Sequence, residues 1–261
     1  MKTLVIIPAR YASTRLPGKP IRPEIKTATG KFLIEHVYDR ARRARNIDDV
    51  IVATDSPQVF DAVRSFGGKV EITSQTHQSG TDRIAEVAAR IPCDAVVNVQ
   101  GDEPDLHPEV IEQTVALLAA DPQASMSTMA NPIEDEAELA SPNAVKVVVD
   151  RLGYALYFSR YTIPYVHDKA GQPSLGDFRF LKHLGIYAYR RDFLLKYAKL
   201  PPSPLEKAER LEQLRALENG YRIKVGITPH RSIGIDTPED MERFIRKFTH
   251  KPGCTKGGIE Q

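Results

Sequence analysis

An aspartate that directly follows a predicted buried strand is the first residue of this chain to indicate chemistry. The apolar run Ala95–Val99 is typical of a strand buried on both faces, and Gly101 and Asp102 follow it. Ligands of open α/β sheets bind just beyond the carboxyl ends of the strands. Asp102 therefore lies where a metal ion coordinated by phosphate groups would bind. For this aspartate taken alone, the alternative is a turn residue with no function.

Three cations follow another predicted strand. Arg10, Arg15 and Lys19 lie beyond the apolar run Thr3–Ile7. Arginine guanidinium groups, which donate paired hydrogen bonds, and a lysine ammonium group suit a triphosphate. They can also stabilise the negative charge that develops at phosphorus during transfer. The glycine spacing of a Walker loop or of a dinucleotide fingerprint is absent. We therefore predict a different kind of nucleotide-binding loop, and the alternative is an ordinary cationic surface loop.

Asp236 is a second candidate metal ligand. It lies just before Thr237, the predicted cap of the last helix, so helping that helix to begin is its alternative role. Asp102 and Asp236 together form a pair of hard oxygen ligands, and Mg²⁺ takes one or two carboxylates besides phosphate oxygens and water. No histidine–cysteine motif in the sequence favours a softer metal. The two carboxylates therefore predict a Mg²⁺ site.

Composition and charge narrow the class of protein. The chain has 261 residues and a formal net charge of +2, so no overall basic field indicates nucleic acid. The basic run Arg40–Arg45 is interpreted as a solvated helix face. The two cysteines make neither a disulfide framework nor a metal motif. Because no apolar run approaches the roughly 20 residues of a membrane span, and the first is too short for a signal peptide, we expect a cytoplasmic protein without membrane insertion.

The first 120 residues alternate predicted strands with predicted helices. The strands are Thr3–Ile7, Val50–Ala53, Val70–Thr73 and Ala95–Val99, and the helices are Lys31–Arg45, Val59–Phe66, Thr81–Arg90 and Pro108–Ala119. This alternation predicts a parallel sheet with right-handed crossovers, as in α/β proteins.

The pattern changes after residue 121. Further strands are predicted over Ser125–Met129, Val145–Val149, Tyr154–Ser159, His183–Tyr189 and Tyr221–Ile227. The segment Asp150–Gly153 is typical of a tight turn, which predicts an antiparallel hairpin. Ser203 and Glu206 form a capping box that opens a helix, which we expect to reach Gly220. Thr237 begins the final helix.

An ordered set of motifs resembles those of the 3-deoxy-manno-octulosonate (Kdo) cytidylyltransferase family. The motifs are Ile7–Pro20, His77–Arg83, Asn98–Pro104, Gly153–Arg160, Lys182–Tyr187, Leu211–Arg215 and Gly234–Asp240. They cover nearly the whole chain. The resemblance implies an α/β, Rossmann-like nucleotidyltransferase fold: a mostly parallel mixed sheet with helices on both faces and an antiparallel insertion used for dimerisation. It also implies a Mg²⁺ requirement and a homodimer.

The same resemblance implies a reaction. CTP and Kdo would give CMP-Kdo and diphosphate, an activation step for the assembly of the lipopolysaccharide inner core. The anomeric hydroxyl oxygen of Kdo would attack the α-phosphorus of CTP in line, and no covalent enzyme intermediate is needed. Positioning and charge stabilisation would then account for catalysis. The sequence identifies no separate general base.

The resemblance further implies the substrate contacts. Those for CTP are Pro8, Ala9, Arg10, Ser13, Arg15, Lys19, Ser79, Gly80, Arg83, Gln100 and Asp102, and those for the sugar are Gln100, Arg160, His183, Tyr187, Glu212 and Gln213. Asp102 and Asp236 would hold Mg²⁺, and catalysis would rest on them together with Arg10 and Lys19. From the residues alone, His183 would be a structural histidine, and Glu212 and Gln213 would lie on a solvated helix face.

One domain is predicted over residues 1–250. Residues 1–120 form its nucleotide-binding part, 121–197 an insertion for sugar binding and dimerisation, and 198–250 the segment that completes the sheet and the metal site. Residues 251–261 are expected to form a flexible tail, because they contain several glycines and few apolar residues.

Three alternatives stay open. A cytidylyltransferase for the 8-amino analogue of Kdo or for a sialic acid would use a similar pocket, although Gly101–Pro104 resembles the Kdo enzymes more. A non-catalytic nucleotide-binding module is disfavoured by the pair of Asp102 and Asp236. A nicotinamide oxidoreductase on a similar sheet is disfavoured because the glycine fingerprint is absent.

Overall fold

One mixed β-sheet runs through the part of the chain that the structure describes. The structure is a computed structural model that describes residues 1–11, 16–169, 174–232 and 234–249. The strands are β1 (Thr3–Ala9), β2 (Asp49–Thr54), β3 (Val70–Ile72), β4 (Ala95–Asn98), β5 (Met126–Pro132), β6 (Lys146–Val149), β7 (Ala155–Ser159), β8 (Leu181–Arg190) and β9 (Ile223–Ile227). Their order is β3-β2-β1-β4-β8-β5-β9, and β6 and β7 pair beside this path.

Helices cover both faces of the sheet. They are α1 (Pro23–Thr29), α2 (Leu33–Ala41), α3 (Pro57–Ser65), α4 (Gly80–Arg90), α5 (Pro108–Ala120), α6 (Glu136–Ala140), α7 (Arg191–Tyr197), α8 (Pro204–Glu209), α9 (Leu214–Glu218) and α10 (Pro238–Thr249). On β1, Val5 and Ile7 face the core beneath α2 and α5, whereas Leu4 and Ile6 face the core beneath α4 and α7. Because β1 is buried on both faces, its sequence is apolar without a break.

The parallel half of the sheet follows the prediction. β1 pairs in parallel with β2 and with β4, and β2 pairs in parallel with β3. Since these strands run in one direction, their carboxyl ends lie at one edge of the sheet, which we call the carboxyl edge. The ends of the predicted strands and helices differ from the observed ones by only a few residues, except in the region after Ser203.

The segment 121–197 contributes to the sheet itself. β8 lies between β4 and β5 and runs antiparallel to both, and β9 pairs in parallel with β5. The predicted antiparallel hairpin is confirmed in β6 and β7, and Gly153 in its turn has a φ of +79°. A left-handed backbone of this kind favours glycine because a Cβ atom would clash.

The predicted long helix after Ser203 is wrong. α8 ends at Glu209, the next residue Arg210 has a left-handed backbone (φ 54°, ψ 46°), and α9 starts only at Leu214. The break turns Leu211 and Leu214 into the core. It also lets α9 fold back on α8, so that Arg215 Nε donates to Glu206 Oε2 at 2.7 Å. Burial of the leucines and this ion pair favour the broken helix over a straight one.

The final helix α10 is capped as predicted. Thr237 Oγ1 accepts a hydrogen bond from the backbone N–H of Asp240 at 3.2 Å, and the Asp240 carboxylate accepts one from the N–H of Thr237 at 3.1 Å. Phe244 of α10 packs in a small core with Ile25 and Ile235. This packing holds the chain just before α10 against the carboxyl edge. Across the described ranges, no helix is both long enough and apolar enough to span a bilayer.

Candidate active site

Lys19 joins the two predicted metal ligands. Its Nζ donates to Asp102 Oδ2 at 2.6 Å, to Asp236 Oδ1 at 3.2 Å and to the carbonyl oxygen of Ile235 at 2.8 Å. The backbone N–H of Ile235 also donates to the carbonyl oxygen of Asp102 at 2.9 Å. Two carboxylates that are distant in sequence therefore meet at one ammonium group, beyond the end of β4.

Close backbone contact explains the glycine before Asp102. A Cβ atom on Gly101 would lie 2.8 Å from the carbonyl oxygen of Pro8, and a Cβ atom on Gly80 would lie 3.3 Å from Pro8 Cγ. The ends of β1 and β4 and the start of α4 consequently pack around Pro8. Pro8, Gly80 and Asp102, which were predicted to contact CTP, are thus grouped at the carboxyl edge.

Arg10 keeps an unused donor at the end of β1. Its Nη2 atom is buried and has no hydrogen-bond partner among the residues that are described. A buried, unsatisfied guanidinium donor is costly without an acceptor, so this position suits an anionic ligand. The predicted contacts Ser13 and Arg15 lie outside the described residues.

The start of α4 is capped by Ser79. Its Oγ accepts a hydrogen bond from the N–H of Asp82 at 3.0 Å, and the Asp82 carboxylate accepts one from the N–H of Ser79 at 3.1 Å. Reciprocal capping fixes the first turn of the helix, whose dipole favours negative charge at this end. Ser79 and Gly80 therefore form a rigid corner beside Pro8.

Arg83 lies under that corner and is fully buried. Its Nη2 donates to Asp55 Oδ2 at 2.7 Å, and its Nη1 donates to Thr73 Oγ1. Asp55 and Thr73 follow β2 and β3, so Arg83 ties α4 to two strand ends. Asp55 was not singled out from the sequence, although it follows a predicted strand just as Asp102 does.

Gln100 and Glu103 lie between the carboxyl edge and β8. Gln100 Nε2 donates to the carbonyl oxygen of Gly185 at 3.1 Å. A Cβ atom on Gly185 would lie 3.3 Å from Glu103 Oε1, so glycine leaves room for this carboxyl. Burial, reinforced by the negative charge of Asp102, raises the pKa of Glu103 to about 7. Sequence reasoning missed Glu103, because nothing in its spacing distinguishes it from a turn residue.

His183 and Tyr187 lie on one face of β8. Their ring centroids are 5.2 Å apart. Thr128 Oγ1 donates to the carbonyl oxygen of Ile186 at 2.6 Å, which leaves His183 Nε2, at 3.0 Å, as the donor to that hydroxyl. Burial lowers the pKa of His183 to about 3, so the imidazole is neutral near neutral pH. Its Nδ1 is consequently an acceptor rather than part of a cation.

Glu212 and Gln213 lie in the break between α8 and α9, and not on a solvated helix face. Gln213 is only 5% exposed. Glu212 Oε2 accepts a hydrogen bond from Thr81 Oγ1 at 2.9 Å, whereas its Oε1 is buried and has no hydrogen-bond partner in the described ranges. Burial raises the pKa of Glu212, against the hydrogen bond from Thr81, which lowers it.

Arg160 is held by backbone carbonyl groups at the end of β7. Its guanidinium donates to the carbonyl oxygens of Glu209 (2.8 Å), Pro142 (3.1 Å) and Arg210 (3.4 Å). The fully buried Lys146 donates to the carbonyl oxygen of Arg160 at 2.7 Å. Arg160 thus ties the β6–β7 hairpin to the turn that carries Glu212.

A cleft of about 540 Å³ lies between the start of α4 and the break after α8. Ser79 and Glu212 line it, together with the cations Lys207, Arg210 and Arg215 and the carboxylates of Asp82 and Glu206. A larger cleft of about 620 Å³ lies beside Cys93 and Arg191, where β1 and β4 begin, and it contains none of the predicted site residues. Among the predicted contacts, this cleft at α4 brings together Ser79, predicted for CTP, and Glu212, predicted for the sugar.

One group of possible soft-metal ligands was not visible in the sequence. His107, Glu109 and His230 place their ligand atoms within 4.8 Å of one another. Among the described residues, this is the one group of three histidine, cysteine or carboxylate side chains that lie so close together. The two imidazole rings are stacked 3.9 Å apart and inclined by only 5°. Nitrogen lone pairs lie in the ring planes, so these parallel rings do not point at one ion.

Comparisons with known proteins identify the family. The cytidylyltransferase family model matches residues 4–224. The 3-deoxy-manno-octulosonate cytidylyltransferases of Geobacter sulfurreducens and Geobacter metallireducens are 51% and 52% identical to this chain over 95% of its length, and the matches cover 100% and 98% of those proteins. A solved structure of CMP:2-keto-3-deoxy-manno-octonic acid synthetase complexed with CTP is 42% identical with a TM-score of 0.87, covering 95% of this chain and 99% of that one. The likeness confirms the predicted mixed α/β nucleotidyltransferase fold, and the use of the insertion for dimerisation stays a prediction. The chain belongs to the 3-deoxy-manno-octulosonate cytidylyltransferase family.

Proposed function

We propose that this chain transfers CMP from CTP to Kdo and releases diphosphate. The observation that carries the proposal is the meeting of Lys19, Asp102 and Asp236 at the carboxyl edge, where α/β sheets bind nucleotides. The names of the relatives and the CTP-bound structure of a 42% identical chain support CTP and Kdo as the substrates. The place of the product in lipopolysaccharide assembly stays a prediction.

The reaction is an in-line displacement at the α-phosphorus of CTP. The anomeric hydroxyl oxygen of Kdo forms the new P–O bond while the bond to diphosphate breaks, and the hydroxyl proton leaves to solvent or to a neighbouring base. Negative charge spreads over the phosphate oxygens as this happens. Arg10 and Lys19 supply positive charge there, and fixed cations of this kind lower the barrier most in a site that excludes water.

We expect the sugar acid to bind through groups of the cleft at the start of α4 together with groups of β8 and of the turn after β4. Kdo carries many hydroxyl groups, which need acceptors as well as donors. The unpaired Oε1 of Glu212 and the Nδ1 of neutral His183 are acceptors, and the amide of Gln100 offers both kinds of group. Arg160 and Arg210 place positive charge near the turn that carries Glu212, which suits the carboxylate of the sugar.

Mg²⁺ is part of the proposal. The donor set fits this ion, because Asp102 and Asp236 offer hard carboxylate oxygens that already share one cation, the Lys19 ammonium. The two aspartates would hold the ion, with phosphate oxygens and water as further ligands. The ion would neutralise phosphate charge and lower the pKa of a coordinated hydroxyl.

We also propose that the chain forms a homodimer and acts in the cytoplasm. The 121–197 segment exposes several large apolar side chains, among them Leu152 (67%), Leu156 (61%), Tyr161 (76%) and Tyr165 (66%). Apolar side chains that remain this exposed on a single chain favour a protein–protein interface. The cytoplasmic location stays a prediction, and two cysteines that make no disulfide framework agree with it.

The nearest alternatives differ in the sugar that receives CMP. A cytidylyltransferase for 8-amino-Kdo or a sialic acid would share most of the pocket, whereas a nicotinamide oxidoreductase has no support from the family match. The test is diphosphate release with CTP and Mg²⁺ from Kdo, its 8-amino analogue and a sialic acid. We expect the highest kcat/KM with Kdo. Faster turnover of either other sugar would replace Kdo as the substrate, and no turnover of any would favour a non-catalytic nucleotide-binding module.

A further inference from the structure

Thr81 makes a buried contact between the two halves of the cleft. It is the second residue of α4 and is 2% exposed. Its hydroxyl donates to Glu212 Oε2 at 2.9 Å, across 131 residues of sequence. A buried threonine that faces a carboxylate is not needed for the helix cap, because Ser79 and Asp82 already provide it.

Glu212 depends on this contact for its orientation. Tyr197 donates through its hydroxyl to the backbone carbonyl oxygen of Glu212, which holds the main chain but leaves the side chain to be fixed elsewhere. The Arg215 guanidinium stands 3.9 Å from Oε1 and is engaged by Glu206. With Oε2 bound by Thr81, the carboxylate is fixed and Oε1 is left as the open acceptor.

Thr81 lies between residues that are predicted to contact the two substrates. Ser79 and Gly80, immediately before it, are the predicted cytidine contacts, and Glu212 is a predicted sugar contact. We propose that Thr81 is a positioning residue for the sugar acid: its hydroxyl holds Glu212 so that Oε1 meets a hydroxyl group of the sugar. This inference rests on the proposed function, in which Glu212 contacts Kdo.

A purely structural role would give a different result. If Thr81 only packed α4 against the turn after α8, its loss would disturb Ser79 and Gly80 as well, and the KM values of CTP and Kdo would rise together. A positioning role acts through Glu212 alone. The two roles are therefore separated by comparing the two KM values and by asking whether the effect needs Glu212.

The first variants are Thr81→Val, which removes the hydroxyl and keeps the shape, and Thr81→Ser, which keeps the hydroxyl. We expect Thr81→Val to raise the KM of Kdo about tenfold, as for a lost hydrogen bond to a charged group, with the KM of CTP little changed. Thr81→Ser should stay close to wild type. Thermal unfolding of each variant checks the fold, and equal KM changes for both substrates or an equal effect of both variants would overturn the inference.

A double-mutant cycle with Glu212→Gln closes the test. If Thr81 acts through Glu212, adding Thr81→Val to Glu212→Gln should change the KM of Kdo by less than about twofold. If the effects of Thr81→Val and Glu212→Gln on the KM of Kdo are additive, the inference about Thr81 is overturned and the proposed function is not affected. An unchanged KM of Kdo in Glu212→Gln would remove Glu212 as a sugar contact and the inference with it, whereas wild-type protein that releases no diphosphate with Kdo would overturn the proposed function instead.

Discussion

Charged side chains at strand ends explain most of what the residues of this site do. The Lys19 ammonium lies 2.6 Å from Asp102 and 3.2 Å from Asp236, so one cation offsets part of the repulsion between these two carboxylates. Asp102 was predictable because it follows an apolar run and a glycine. Glu103 and Glu212 were not predictable from the residues alone, since their roles depend on burial against β8 and α4.

The state of His183 leads to a prediction about pH. Its pKa is lowered from 6.5 to about 3 by burial, so the folded protein holds the neutral imidazole while the unfolded chain binds a proton more readily. The stability that this histidine contributes is complete above about pH 6.5 and is lost as the pH falls toward 3. Replacement by glutamine, which does not titrate, should remove that dependence.

Urea unfolding of wild type and His183→Gln at neutral and mildly acidic pH measures this effect. As the pH is lowered, we expect the free energy of unfolding of wild type to fall more than that of His183→Gln. His167→Gln serves as the control, because His167 is 96% exposed. A difference that is the same at both pH values would contradict a buried, neutral His183.

At the element scale, the carboxyl edge is held together by α4. Arg83 of this helix is fully buried and pairs with Asp55 at the end of β2 and with Thr73 after β3. A buried guanidinium without its partner is costly. The resemblance had implied a cytidine contact for Arg83, and that role stays a prediction beside the structural one seen here.

Replacing Asp55 by alanine should therefore destabilise the fold. We expect the free energy of unfolding to fall by about 2–4 kcal/mol, because Arg83 would be left buried and without its carboxylate. Chemical denaturation measures this loss. Asp61→Ala is the matched control, since Asp61 is an exposed aspartate of α3. Equal stability of the two variants would show that the Arg83–Asp55 pair does not hold α4 in place.

The element that sequence reasoning missed is the break between α8 and α9. The capping box at Ser203 and the glycine at 220 predict one continuous helix, and local propensity offers no reason to stop at Arg210. Tertiary packing decides instead, because Leu211 and Leu214 reach the core only if the helix turns. By contrast, β1, β4 and α4 could be predicted closely, since their apolar periodicity and caps agree with their burial.

At the scale of the whole molecule, the mixed sheet places two substrate regions side by side. Pro8 lies in β1, Arg10 and Asp102 follow the parallel strands β1 and β4, and the antiparallel β8, which pairs with β4, carries His183. Alternation of strands and helices predicted the parallel half. The place of β8 in the centre of the sheet could not be predicted, because strand order depends on long-range pairing that the local pattern does not encode.

The proposed dimer is tested at the same scale. Light scattering of the wild-type chain should give twice the mass of one chain at micromolar concentration. Leu156→Glu and Tyr161→Glu, each of which places a charge on the proposed apolar interface, should shift the protein toward monomer. Ile72→Glu, on the far edge strand β3, is the control. A monomeric wild type would contradict the dimer.

We propose that CMP is transferred to Kdo at the site of Lys19, Asp102 and Asp236. The most direct test is the formation of CMP-Kdo from CTP and Kdo with Mg²⁺, measured side by side for wild type, Asp102→Asn and Asp236→Asn, with thermal unfolding as the check on folding. We predict CMP-Kdo from wild type and a loss of roughly 100-fold or more in each folded variant. Near-wild-type formation of CMP-Kdo by either variant would show that the replaced carboxylate takes no part in the transfer.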